Sequence, residues 1–186
     1  MKKRIISTIV TLSLGLALIF VAIPKETTNE KNLPLETYNF FMEEGFSSQQ
    51  ATSIVTLIRS SSNFDSSATS NDGNFYGLCQ WGYKRLDNLK AFADEKGKDV
   101  SDFKTQLEFL VSELSPTEDN YQLISYNGYA PADWESADNV EDSIEALVWT
   151  FYRPSSEMGE TLIDQQLEWA ESFEKEVAQS QKDIHV

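Results

Sequence analysis

Apolar positions recur at helical spacing along most of the chain beyond residue 34. Leu35, Tyr38, Phe41 and Met42 form one stripe, which Gly45 is placed to end. Ser47-Ser48-Gln49-Gln50 has the spacing of a capping box, in which serine and glutamine side chains satisfy each other's free backbone N–H groups. Ala51, Ile54, Val55, Leu57 and Ile58 follow as its apolar face. Leu86, Leu89, Phe92 and Ala93 predict a third helix stopped at Gly97. Ser101 is the candidate cap of a fourth, carrying Leu107, Leu110, Val111 and Leu114 and ended by Ser115-Pro116. Val140, Ile144, Leu147, Val148 and Phe151 predict a fifth, cut by Pro154. Leu162, Ile163, Leu167, Ala170, Phe173 and Val177 predict a last long one, and the polar tail, residues 179–186, is expected to fray.

Two stretches break the period. Residues 60–74 are small and polar with an Asn-Asp-Gly turn, and that length suggests a working surface rather than a connector. Residues 117–138 are irregular and rich in Tyr, Gly, Pro and Asp. Strand signals are weak and nothing repeats at a fixed period. The expected fold is mainly α, one domain over residues 35–178, behaving as a monomer.

The amino terminus reads differently. Lys2-Lys3-Arg4 precedes an uncharged run from Ile5 to Ile23, followed by a polar, proline-bounded linker over residues 24–34. A basic start and an apolar run mark an export signal, cut or retained as an anchor, with the acidic body outside. Any membrane contact is expected through residues 5–23 alone. Three of the 15 basic residues lie in this leader. The rest of the chain therefore sets 12 positive groups against 30 acids, a net charge of -18. Nucleic acid and anionic lipid both require a positive footprint, so neither is an expected partner. The single Cys (Cys79) excludes an internal disulfide. The single His (His185) argues against a zinc site, and no metal or other cofactor is expected.

Cys79 lies in Tyr76-Gly77-Leu78-Cys79-Gln80-Trp81. A nucleophilic cysteine needs an imidazole to take its proton. The only one is next to the last residue, so Cys79 reads as a buried structural thiol. The wider pattern carries more. YGLCQW at 76–81, a Gly-Lys turn at 97–98, QLEFL at 106–110 and FYRP at 151–154 stand in one order and register. Residues 35–177 thereby resemble the phage tail-tip lysozyme family, a branch of the lysozyme-like superfamily. The resemblance implies a lysozyme-like fold and action on peptidoglycan glycan.

The chain departs from that family at one position. The family's Glu-Ser-Gly-Phe-Asn-Pro aligns on Ser61-Ser62-Asn63-Phe64-Asp65-Ser66, which sets Ser61 where the resemblance implies a catalytic glutamate. Glycosidic cleavage protonates the leaving oxygen, so the acid must hold a proton near neutral pH, and a serine hydroxyl does not release one there. Asp65 and Asp72 are the weak substitutes. The resemblance also implies that Tyr76, Gln80, Trp81 and Tyr152 line the groove as sugar-binding residues, whereas Trp134, Trp149 and Trp169 read as packing. Beside a domain that only scaffolds a larger wall-remodelling apparatus, two functions remain open. One is an exported lysozyme-like protein without glycosidase activity that binds wall glycan or a surface protein, for instance as a non-lytic bacteriocin-type factor. The other is a peptidoglycan hydrolase using a substitute acid.

Overall fold

The computed structural model describes residues 32–183. The export segment, most of the linker and His185 lie outside the described residues. The chain divides into two units, residues 1–30 and 31–186, and the described residues all lie in the second. Among the described residues no helix is long and apolar enough to cross a membrane.

Seven α-helices make up most of the described residues. α1 (Leu33–Glu43) starts earlier than the sequence predicts: Asn32 caps it by accepting the Leu35 N–H, and Pro34 sits in the first turn, where its missing N–H costs nothing. The predicted stripe shifts slightly, because Tyr38 and Phe41 are buried with Thr37 while Met42 is exposed. Gly45 (φ +91°) turns the chain as expected, and Phe46 N–H reaches back to the Phe41 carbonyl.

α2 (Ser48–Ser62) carries the predicted capping box on Ser47 and Gln50. Every residue from Ala51 to Ile58 is buried, so this helix is the axis against which α1, α6 (Val140–Leu147) and α7 (Ser156–Asp183) pack. Two of its interior hydroxyls bond to side chains of other elements. Ser53 Oγ accepts from Trp134 Nε1 (3.2 Å) and Ser143 Oγ (2.9 Å), and Thr56 Oγ1 donates to Gln166 Oε1 (2.9 Å).

After α2 comes a loop, then a two-stranded antiparallel ribbon, β1 (Phe75–Tyr76) and β2 (Trp81–Gly82), paired Phe75 to Gly82 and Tyr76 to Trp81. α3 (Tyr83–Glu95) follows at once. α4 (Phe103–Leu114) is capped by Asp102, whose carboxylate accepts the Thr105 N–H at 2.8 Å; Ser101, the predicted cap, is instead held in a turn by Asp99. α5 (Pro131–Glu135) is a short helix inside the stretch expected to be irregular, and it buries Trp134 in the core. α6 passes into a π-helical turn over Val148–Tyr152, which Arg153 ends in a left-handed conformation (φ 57°). α7 begins six residues before the predicted stripe and runs through Gln179, where fraying was expected.

Gly159 on α7 lies against the ring of Trp149, so that an added Cβ would overlap the indole. Gly159→Ala is ordinarily worth up to about 1 kcal/mol to a helix. Here overpacking reverses the sign, and urea unfolding should show a loss of about 1–2 kcal/mol.

Candidate functional site

A groove of about 600 Å³ lies where the C-terminal end of α2, the ribbon, the start of α3 and the π-turn come together. Ser61, Ser70, Gln80, Arg85, Tyr152 and Arg153 line it, with the rings of Phe75 and Tyr83 and the buried Cys79. Among the described residues the lining includes two guanidinium groups and no carboxylate.

α2 ends at Ser62, and Asn63 takes a left-handed conformation (φ 50°, ψ 41°) that reverses the chain just beyond Ser61. Asparagine tolerates this region better than other residues with a Cβ. Ser61 Oγ is closed to solvent and has no hydrogen-bond partner among the described residues. The loop beyond it is braced by one side chain of α4. Gln106 Nε2 donates to the carbonyls of Ser66 and Val100 (2.7 Å each), and Gln106 Oε1 accepts the Leu78 N–H (2.8 Å). Gly77 (φ +77°) permits that approach, since a Cβ there would stand 2.6 Å from Gln106 Oε1.

The two candidate acids are placed differently from Ser61. Asp65 accepts from Ser67 N (2.8 Å) and Ser67 Oγ (2.7 Å) in an exposed turn. Asp72 accepts from Ser70 Oγ (2.6 Å) and Asn74 Nδ2 (2.7 Å). The Ser67 hydroxyl holds the Asp65 carboxyl below the usual carboxylate range, and the Ser70 hydroxyl does the same for Asp72. A general acid needs the opposite shift. Neither aspartate lines the groove.

Of the four residues expected to bind sugar, two line the groove. Tyr152 is 38% exposed beside it, and partial burial raises its hydroxyl pKa. Gln80 lines it too, but both amide donors are engaged, Nε2 giving to Gly77 O (3.1 Å) and Ala68 O (3.2 Å), so towards a ligand it is an acceptor. Trp81 is a correction. Its ring has no exposed surface, and Nε1 donates to Glu113 Oε2 at 2.7 Å, so it offers no face to a sugar. Tyr76, paired with Trp81 across the ribbon, lies outside the groove lining; its partly buried hydroxyl, raised in pKa by that burial, neighbours Ser101.

The aromatic wall belongs instead to Phe75 and Tyr83, edge to face at 5.8 Å and 87°. Tyr83 is 75% exposed, an unusual placement for a large ring, and Gly82 leaves room for Phe75, whose ring would stand 2.6 Å from a Cβ there. Neither ring falls on a helical stripe, so periodicity gave no signal for them.

Beneath the groove lies a carboxylate that sequence reasoning also missed. Glu113 on α4 is fully buried, and Arg85 forks onto it, Nε to Oε1 and a terminal nitrogen to Oε2, each at 2.7 Å. The Arg85 guanidinium also lies 4.4 Å from the ring centroid of Phe151 in the π-turn. Cys79 packs beside this pair, and burial pushes its thiol pKa well up. Among the described residues no group of three His, Cys, Asp or Glu side chains is arranged to hold a metal ion.

A family model for phage tail lysozyme matches residues 33–176, from the start of α1 to near the end of α7. The chain belongs to the phage tail lysozyme family. No curated protein matches it significantly. Membership points to a lysozyme-like, peptidoglycan-related role, and the whole groove lies inside the matched stretch of the phage tail lysozyme domain.

Two measurements check this geometry. Glu113→Ala leaves the partly buried Arg85 charge and the buried Trp81 N–H without an acceptor, and denaturant unfolding should show a loss of roughly 3 kcal/mol. Glu113→Gln, which keeps one acceptor, should lose less. Cys79 should react negligibly with a thiol reagent until the protein is unfolded.

Proposed function

We propose that this protein is an exported wall-binding member of the phage tail lysozyme family that holds peptidoglycan glycan in the groove without cleaving it. One observation carries the reading: among the described residues the groove is lined by no carboxylate, and the end of α2, where the family pattern sets its glutamate, presents Ser61. The left-handed Asn63 supports that alignment, because it falls where the family pattern has glycine. Asp65 and Asp72 are exposed, tied into turns and shifted towards ionisation. Without a proton donor, glycosidic cleavage loses on the order of 100- to 10,000-fold in rate.

What the groove retains suits binding. Tyr83, Phe75 and Tyr152 present ring surface, and Gln80 and two arginines supply polar contacts. A pyranose ring matches that combination of aromatic face and directed hydrogen bonds. The acidic exterior confines attraction for the wall to this recess, because anionic wall polymers are repelled elsewhere.

The test compares reducing-end release and sedimentation with purified peptidoglycan. The wild type should co-sediment with the wall and release no reducing ends above background. Ser61→Glu should add measurable cleavage, placing the missing acid at that position. Wild-type cleavage that Asp65→Asn or Asp72→Asn abolishes would mean a working enzyme with a substitute acid.

A further inference from the structure

The groove is a cationic recess in a strongly acidic protein, and its two arginines are not equivalent. Arg85 spends its charge on Glu113, which accepts both of its forked N–H groups. Arg153, at the left-handed end of the π-turn, lies half-buried in the same lining and pairs with no carboxylate among the described residues. An unpaired guanidinium partly withdrawn from water is costly, and an anion delivered to it recovers that cost through charge-assisted hydrogen bonds. Ser61 contributes a second unmet group to the same recess, a solvent-closed hydroxyl without a partner. A buried polar atom left unsatisfied in a free site is what a ligand atom is expected to complete.

We infer that Arg153 and Ser61 form a carboxylate-binding subsite, which selects acidic over neutral units of the glycan held against the Phe75, Tyr83 and Tyr152 rings. This rests on the glycan reading above and names the chemistry it selects. The net charge of -18 beyond the leader argues against a polyanion as the occupant, since a chain of phosphates would be repelled over its whole length. A mostly neutral chain bearing isolated carboxylates meets no such barrier. In peptidoglycan the carboxylate comes from one of two places. It is either the lactyl group of a muramyl unit whose peptide has been removed, or the end of a short peptide still attached.

The experiment is calorimetric titration of the full-length protein with three disaccharides of N-acetylglucosamine and N-acetylmuramic acid. The first has a free lactyl carboxylate, the second has it capped as the methylamide, and the third carries a dipeptide with a free carboxyl end. At least one acidic ligand should bind about tenfold tighter than the methylamide, and the tighter acidic ligand identifies the source of the carboxylate. In Arg153→Gln that ratio should fall close to one, and Arg153→Lys should keep part of it. Equal affinity for all three in the wild type, or an unchanged ratio in a folded Arg153→Gln, overturns the carboxylate subsite and leaves the glycan reading standing. If no disaccharide binds, the glycan reading fails, and free D-lactate then decides the subsite. A shift of the Arg153 Nε–H resonance with added lactate supports the anion site, and no shift overturns it.

Discussion

A carboxylate with no exposed surface must be satisfied from within, and the way Glu113 is satisfied ties together the parts of the groove. Its oxygens accept from Arg85 on α3 and from Trp81 on β2, while its own backbone belongs to α4. Three elements with little regular hydrogen bonding between them are thereby fixed at one point. A buried ion pair contributes little net stability compared with a well-packed apolar replacement. What it supplies here is orientation. The indole is locked edge to face against Phe109 at 5.6 Å, and the guanidinium is held over the Phe151 ring. Through Phe151 the same contact reaches the π-turn, which carries Tyr152 and Arg153.

The loop between α2 and the ribbon shows how polar sequence is ordered without regular structure. Its aspartates close small turns on neighbouring Ser and Asn groups, and Gln106 ties its Ser66 carbonyl to the Leu78 N–H of the ribbon turn and the Val100 carbonyl before α4. Carboxylates used in this way are held ionised by their donors. A lysozyme-type acid requires apolar walls and few donors. The same residue type therefore serves opposite purposes depending on what surrounds it, and in this loop the surroundings serve architecture.

The helices were legible because burial imposes a period, although α1 exposes Met42 from its stripe and α2 is buried on every side from Ala51 to Ile58. The misses have local causes. Asp102 caps α4 because Asp99 has already captured Ser101, a competition between neighbours that spacing does not reveal. α5 is one turn and too short to show a period, and the strands, at two residues each, cannot alternate. The site was legible where it rests on chain order: Ser61, Gln80 and Tyr152 do meet across about 90 residues. Trp81 was misplaced because its partner, Glu113, lies 32 positions away and looks like an ordinary helix charge in the sequence. Phe75 and Tyr83 escaped notice for the reverse reason, since a half-buried and an exposed ring beside a turn belong to no apolar face.

The π-turn gives the groove a dependence on chain length as well as on chemistry. A π-turn behaves as one extra residue accommodated within a helix, and each residue advances an α-helix by about 100°. The five residues Val148–Tyr152 keep Val148, Trp149 and Phe151 inward and still deliver Tyr152 and Arg153 to the groove that Ser61 lines. Loss of any one of them would let the segment relax into ordinary helix and swing the aromatic and the cation away together. Lineages descending from this chain can exchange side chains along the turn and retain a groove, but a single-codon deletion there would strip that wall from it in one step.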